Sequence, residues 1–412
     1  MLRPKRTTLF QFIVIWSVVG FPLLAVVTTA LGIPNSIFSV FFRSIAVVFS
    51  IILIIEKAKP TNKFAVFLFL AFWILYFMRL AFTTAFESNS LSRPDSYYWI
   101  WSVGVCFIPA LAVLLTYTSG TAERLLTPII VVVNAALLLA LLFGGTGIRT
   151  TDGEIIDVGR FSVESLNSIT MGHLGVTGVL LGICVLLSEQ LRKSMYILAL
   201  AAVILGGLIA MFANSRGPLV AMLVCCMVII IAGAHHRKTY IIAALFVLLG
   251  ILLAAFNRDA LFGNIGILWR FQAYFLGVDQ SATIRMVSFE GAWTQFLSSP
   301  FIGDAIEERI TNFYPHNLML EALMATGIAG GLPFLGLLIM TLRCAWNLVS
   351  QGSKSMWMGV IAIQYIVAAM FSGSIYSSNT MWVLIALSLS ASSIKRKASI
   401  TLRNIPNVKC KS

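Results

Sequence analysis

Residues 9–31 read LFQFIVIWSVVGFPLLAVVTTAL, a run of 23 residues without a charged side chain. An α-helix rises about 1.5 Å per residue, so a run of this length crosses the roughly 30 Å hydrocarbon core of a bilayer. Eleven more apolar runs follow, and the whole set lies near 9–31, 36–55, 64–83, 98–118, 125–144, 166–187, 195–213, 217–234, 239–256, 317–342, 355–371 and 375–393. The pattern predicts an all-α, polytopic membrane protein with about twelve transmembrane helices, in which residues 1–412 form a single membrane domain.

The composition of the chain excludes an ordinary soluble domain. Hydrophobic residues make up 59% of the 412 residues and charged residues 11%, with a mean hydropathy of +0.93. A soluble fold could not bury this much apolar surface in its own core, so lipid must be the solvent for most of it. The sequence contains no evident internal repeat, which leaves the inverted-repeat design of many secondary transporters without support.

The net charge is +13, and the charged residues are distributed according to the side of the membrane rather than forming a nucleic-acid-binding surface. If the N-terminus is cytoplasmic, all eleven lysines fall in cytoplasmic segments, and the basic tail 394–412 is one of these. The opposite side carries eight arginines and twelve acidic residues. Because cytoplasmic loops of membrane proteins are enriched in Lys and Arg, we expect both termini in the cytoplasm and no nucleic-acid partner.

Function is expected on the outer side, where three connections are longer than the rest: about 84–97, about 145–165 and about 257–316. The last is a large loop that mixes aromatic and charged residues, and it contains a predicted helix over 281–298 that stops near Pro300. On this helix Arg285 shares a face with three aromatic residues, Phe289, Trp293 and Phe296. The face would lie at the depth of the lipid headgroups, although an interfacial aromatic belt is an alternative interpretation of the three rings.

Arginines dominate the candidate site residues of the outer side. Arg216 lies in the tight turn Asn214-Ser215-Arg216-Gly217-Pro218, and Arg160 precedes the sixth predicted span. A charge at the centre of a span costs roughly 2.5–3.5 kcal/mol, so Arg43 and Arg79 are expected to face a polar cavity or a carboxylate. Guanidinium groups bind phosphate oxygens bidentately, so these arginines and Arg285 would suit a pyrophosphate at the membrane surface. Ion pairs with the nearby acids, or contacts with lipid headgroups, would use the same residues.

A histidine stands at the mouth of the tenth predicted span, in Tyr314-Pro315-His316-Asn317. Its ordinary pKa of about 6.5 lets the imidazole of His316 accept a proton near neutral pH. Glu321 follows five residues later, about 140° around a helix, so we expect it to pair with an arginine rather than to orient the imidazole. Asn317 shares the face of Glu321, and His173, inside the sixth span, is expected to be structural.

Metal chemistry has little support in the sequence. The outer side has no Asp-x-Asp, and no His/Cys grouping has the spacing of metal ligands. Asp152 and Glu154 lie in an acidic loop and are expected to be solvated. We therefore expect that no metal and no cofactor is required.

Several motifs of the outer side follow one another in a fixed order: Asn214-Ser215-Arg216-Gly217, Arg285 with Trp293 eight residues on, Ser299-Pro300-Phe301-Ile302-Gly303, Pro315-His316-Asn317-Leu318-Met319-Leu320-Glu321 and Gly327-Ile328-Ala329-Gly330. In residue types, order and spacing they resemble the O-antigen ligase/polymerase superfamily. A further block, Val158-Gly159-Arg160-Phe161-Ser162 with Leu166-Asn167, is similar to the same family. The resemblance covers roughly 158–331, whereas the first five predicted spans match in general hydropathy.

The resemblance implies a metal-independent glycosyltransferase of the all-helical C-type fold in the inner membrane of a Gram-negative bacterium, with its active site facing the periplasm. Its donor would be a glycan on undecaprenyl pyrophosphate. Arg216 and Arg285 would bind the pyrophosphate and stabilise the leaving group, while His316 would position or deprotonate the acceptor hydroxyl. The remaining substrate-binding residues would be Arg160, Arg43, Arg79, Asn317 and Glu321.

The sequence leaves two functions of this family as alternatives, and they differ in the acceptor. An O-antigen polymerase would use a second lipid-linked repeat unit, together with a chain-length regulator as a further partner, whereas a ligase would use lipid A-core. The Tyr-Pro-His-Asn-Leu-x-Leu-Glu form of the histidine motif favours the polymerase. A transporter or flippase is the alternative of another class, since twelve spans with both termini inside are common there. The sparse charge within the spans argues against it.

Overall fold

The computed structural model describes residues 6–403 except 58, 119, 150–154, 164, 189–191, 234–275, 277–279 and 353. Within this part of the chain the fold is helical, as predicted, apart from a small antiparallel hairpin of β1 (Gly145–Arg149) and β2 (Ile155–Ser162). The hairpin lies inside the outer segment predicted near 145–165. The helices are α1 (Arg6–Leu31), α2 (Asn35–Lys57), α3 (Lys63–Phe86), α4 (Asp95–Thr116), α5 (Thr121–Phe143), α6 (Ser168–Leu187), α7 (Lys193–Phe212), α8 (Arg216–Ala232), α9 (Gln280–Ser298), α10 (Leu318–Ser350), α11 (Met356–Ser372) and α12 (Asn379–Arg403).

Eight of the described helices, α1 to α7 and α10, are long and apolar enough to cross a membrane. Three shorter apolar helices accompany them: α8, α11 and the part of α12 from Asn379 to Ser392. These eleven helices coincide with eleven of the predicted spans, and the span predicted near 239–256 lies outside the described residues. The protein is thus a multi-pass, all-α membrane protein.

Asparagine side chains begin three of the helices. Asn62, Asn167 and Asn317 each accept a hydrogen bond from the backbone N–H three residues ahead, at 3.1, 3.0 and 3.0 Å. The first N–H groups of a helix have no partner inside the helix, and an asparagine at this position satisfies one of them. Asn167 and Asn317 therefore fix where α6 and α10 start, next to the predicted site residues.

Helix α6 lies at the centre of the bundle and packs closely on α7. A Cβ atom on Gly175 would approach the backbone oxygen of Gly206 to 2.6 Å, so the two helices meet through their backbones. Small residues permit such close contact between helices where lipid supplies no hydrophobic driving force. The close contact holds α6 in place in the middle of the bundle.

Helix α10 is broken near its start, and a loop segment fills the break. Gly327 has φ 59° and ψ −159°, which is not helical. The N–H groups of Ile328 and Ala329 donate to the carbonyl oxygens of Pro300 and Phe301 at 2.7 and 3.1 Å, and the N–H of Asp304 donates to the Met324 carbonyl at 2.8 Å. The two glycine-containing motifs of the sequence are therefore one structural unit.

Candidate active site

His316 lies one residue before the cap of α10, in a segment that we call the site loop (residues 299–317). Its backbone adopts φ 54°, and its ring contacts that of Tyr314, with centroids 4.5 Å apart. Burial, and then the positive charge of Arg285, lower the pKa of His316 from 6.5 to about 4. The imidazole is therefore neutral near neutral pH, which is the form that can accept a proton.

Arg285 on α9 lies close to this histidine. Its positive charge lowers the pKa of His316, and it opposes the burial that raises the pKa of Tyr314 to about 12. An arginine and a histidine that the sequence assigned to one site thus come together from two different elements. A fixed cation beside a neutral base is a suitable arrangement for binding an anionic leaving group while a proton is removed nearby.

Arg79 supports the site loop from α3. Its guanidinium donates hydrogen bonds to the carbonyl oxygens of Gly303 at 2.6 Å, Asp304 at 2.8 Å and Ile302 at 3.3 Å. The sequence predicted that Arg79 faces a cavity, a carboxylate or a phosphate. Its hydrogen bonds in the structure are with backbone carbonyls. Since its donors are used to hold the loop, we assign Arg79 a supporting role.

Two further carboxylates anchor the same loop. Asp304 forms a bidentate ion pair with Arg309, at 2.7 and 3.0 Å, and this pair lowers the pKa of Asp304. Glu307 is buried and accepts hydrogen bonds from the Tyr98 hydroxyl at 2.6 Å and the Ser92 N–H at 2.8 Å. Buried polar groups need such partners. The Asp304–Arg309 pair lies within the loop, whereas Glu307 ties the loop to α4 and to the segment before it.

Glu321 and Asn317 hold the turn between α11 and α12. Glu321 is fully buried, and both of its carboxylate oxygens accept the N–H of Ile375 at 3.0 Å. The expectation that Glu321 pairs with an arginine is wrong for the described part of the chain, because the side chain points into the bundle, where a backbone N–H is the donor. The Asn317 amide donates to the Met370 carbonyl at 3.3 Å. Both residues are supports for neighbouring helices.

Arg216 is the first residue of α8 and is half-buried. Two residues later, Pro218 packs against Gly172 of α6, where an added Cβ would lie 2.7 Å from the proline ring. Gly172 is the neighbour of His173 in the sequence. The start of α8 therefore lies against the part of α6 that carries His173.

Arg160 lies on β2, beside the same turn. Its neighbour Phe161 contacts the ring of Phe212 at the end of α7, with centroids 6.4 Å apart. The chain continues from that end of α7 directly to Arg216. The strand that carries Arg160 therefore lies near the end of α7 that leads to Arg216, and a shared site of the two arginines stays a prediction.

A cavity of about 350 Å³ lies beside Tyr314, and its described lining residues do not include Arg160, Arg216, Arg285 or His316. Tyr314, whose ring contacts His316, forms part of its wall, and so does Arg43 of α2. Other polar or aromatic wall residues come from α1, α4, α6, α11 and α12: Trp16, Ser17, Trp101, Asn167, His173, Tyr365 and Asn379. A cavity of this size, mostly apolar with a few polar groups, is typical of a small-molecule site.

Several of these wall residues were not predicted to belong to a site. Tyr314 was visible as the neighbour of the histidine motif, and His173 as a polar residue within a span, which is itself a signal of function. Trp101 and Tyr365 looked like ordinary aromatic residues of apolar helices. Among the described residues, no three His, Cys, Asp or Glu side chains form a group that could hold a metal ion.

The fold and the site together define a multi-pass membrane protein with a neutral histidine and arginines at one end of a helical bundle. Residues 200–335 match the family model described as O-antigen ligase. The matched range contains Arg216, Arg285 and His316, and it confirms the resemblance to the O-antigen ligase/polymerase superfamily. No curated protein sequence matches the chain. Over this segment the chain is similar to the O-antigen ligase family.

Proposed function

We propose that this protein transfers a glycan from an undecaprenyl-pyrophosphate donor to an acceptor hydroxyl at the periplasmic face of the bacterial inner membrane. The observation that carries the proposal is that Arg285 lies near enough to His316 for its charge to lower the pKa of the histidine, within the segment that matches the family model, while the neighbouring Tyr314 lines a cavity. We favour a repeat-unit polymerase, because of the form of the histidine motif. Its acceptor would then be a second lipid-linked glycan.

In this mechanism the acceptor oxygen attacks the anomeric carbon of the donor sugar while the bond from that carbon to the pyrophosphate breaks. His316 accepts the proton of the acceptor hydroxyl, and the pyrophosphate leaves with the bonding electrons. Arg285 and Arg216 bind the pyrophosphate oxygens and stabilise the charge that develops on them. A single displacement of this kind inverts the configuration at the anomeric carbon.

The low pKa of His316 has a role in this proposal. A base with a pKa near 4 is weak; burial is the larger cause of the low pKa of His316, and the charge of Arg285 is the second. A bound pyrophosphate would offset this charge and raise the pKa of His316 towards the pH of the periplasm. The histidine would thus become an effective base when the donor is in place.

A ligase that transfers the glycan to lipid A-core is the second candidate, and the description of the matching family model favours it. Deletion of the gene distinguishes the two. Loss of a polymerase leaves lipopolysaccharide capped by a single repeat unit, whereas loss of a ligase leaves bare core while lipid-linked polymer accumulates. Gel electrophoresis of the lipopolysaccharide separates these outcomes.

Purified protein in liposomes tests the enzymatic proposal itself. With a lipid-linked repeat unit as substrate, glycan transfer should be lost in Arg285→Ala and His316→Ala and kept in the control Arg343→Ala, whose side chain is exposed near the end of α10. Transport of the lipid-linked glycan that survives the first two substitutions, with no transfer by the wild type, would support a flippase instead.

A further inference from the structure

The cavity beside Tyr314 carries polar atoms that the proposed transfer does not use. His173 is 7% exposed, and neither of its ring nitrogens has a hydrogen-bond partner among the described residues. The same holds for the Oγ atom of Ser17 and the Oδ1 atom of Asn379. All three residues line the cavity. Other described residues away from the cavity, such as Trp73 and Trp357, also have buried polar atoms without a partner, but here three residues with such atoms lie on one wall. A ligand is one of the causes that explain a group of them.

Arg43 gives this cavity a positive charge. Its guanidinium carbon lies over the rings of Trp101 and Phe21, 4.2 and 4.7 Å from their centroids. Aromatic rings stabilise a cation that has left water, so the arginine keeps its charge within the helix bundle. No Asp or Glu is among the described residues that line the cavity. The wall is therefore suited to an anionic group.

The backbone around the cavity is also unusual. The segments Trp16–Gly20 of α1 and Ile100–Phe107 of α4 are π-helical, and both contribute to the wall. The Thr380 hydroxyl donates to the Ser17 carbonyl at 2.7 Å, a contact across to α12. Insertions of this type in α-helices occur frequently at functional sites. Two of them on one cavity indicate that it is a built site.

We propose that the cavity binds a sugar residue with a single anionic substituent, of the hexuronic acid type. Arg43 binds the carboxylate, while His173, Ser17 and Asn379 exchange hydrogen bonds with ring hydroxyls, and Trp101 supplies an apolar wall. One guanidinium among neutral donors and acceptors fits one negative charge surrounded by hydroxyls. A phosphate would call for several cations. The inference rests on the proposed function in one respect, that this sugar belongs to the glycan substrate.

The test uses the purified full-length protein in nanodiscs, with D-glucuronate as the probe and D-glucose and inorganic phosphate as comparisons. Binding is measured by titration in saturation-transfer difference NMR. We expect glucuronate to bind, and Arg43→Gln to weaken its binding at least about tenfold, since hydrogen bonds to charged groups are the stronger ones. His173→Phe should weaken binding as well, whereas the exposed Arg343→Gln should leave it unchanged. Thermal unfolding of each variant shows that the protein is folded.

Three results would overturn the inference. Glucose binding as tightly as glucuronate would remove the role of the charge, and phosphate displacing glucuronate at equal concentration would make the cavity a simple anion site. Loss of glucuronate binding in Arg285→Ala would place the probe at the His316 site. Because no donor is present, binding can succeed in a protein that transfers no glycan, and the failure of one proposal is therefore distinguishable from that of the other.

Discussion

Because α10 is broken at Gly327, we expect a single methyl group added at this residue to destabilise the fold severely. A Cβ atom on Gly327 would collide with the backbone of Phe301 and Ile302 in the site loop. The φ of 59° and ψ of −159° at this position also belong to a region that is almost exclusive to glycine. Backbone strain of about 1–3 kcal/mol and overpacking of about 1–3 kcal/mol together give a loss of roughly 2–6 kcal/mol for Gly327→Ala.

The measurement is SDS-induced unfolding of the purified protein, followed by tryptophan fluorescence, with glycan transfer measured in parallel. Gly207→Ala in α7 is the matched control, since an added Cβ there meets no atom within 4 Å. Alanine is favoured over glycine in helices by about 1 kcal/mol, so the control should be neutral or slightly more stable. Transfer should fall with Gly327→Ala, because the site loop carries His316.

A free energy of unfolding of Gly327→Ala within about 0.5 kcal/mol of the wild type would refute this reasoning, because changes of that size are usual for surface positions. The outcome would mean that α10 can close its break without expelling the loop. A stable variant with no transfer would separate the two roles. The break would then matter for the geometry of the site alone.

The remaining predictions concern the site itself. His316 must be neutral to act as a base, and its pKa is lowered to about 4, so kcat/KM should stay level below neutral pH and fall as the pH drops through about 4. The value of kcat should fall at a higher pH, because the bound donor raises the pKa of His316. A fall of both kcat and kcat/KM near pH 6.5, about the ordinary pKa of histidine, would contradict this prediction. Arg285→Lys should still reduce transfer roughly tenfold to hundredfold, since a lysine keeps the charge and loses the bidentate geometry; transfer within about twofold of wild type would exclude the phosphate role. Glu321→Ala leaves the Ile375 N–H unsatisfied and should destabilise the fold by about 1–3 kcal/mol in the same unfolding assay; no change would show that the turn holds without it.

Much of the fold could be predicted from the sequence, because a span depends on length and hydropathy, which are local properties. The break in α10 was not predicted, since it depends on hydrogen bonds with a loop that precedes it in the chain. The hairpin at 145–162 was also missed, because it is a short paired element within a segment assigned to a loop.

The candidate site was predicted in part. His316 and Arg285 were found through their motifs, and the structure brings them together. The arginine partner expected for Glu321 was wrong, and the backbone partners of Arg79 were not foreseen, because a charged residue in a span needs a partner but the sequence does not identify that partner. Backbone groups satisfy both of them here. The cavity could not be foreseen, since its wall comes from helices that are distant in sequence.

The contact between the site loop and α10 restricts how substrates can enter. A backbone hydrogen bond joins Asp304 of the site loop to Met324 of α10, so the stretch between them, which carries His316, is closed at its base. Under the proposed function, we expect this closed stretch to move less than a loop that is free at its base, and His316 to move little with it. On the proposed function, we expect the elements opposite to move when a bulky lipid-linked glycan enters, so cross-links between those elements should block glycan transfer, whereas cross-links across the closed stretch should not.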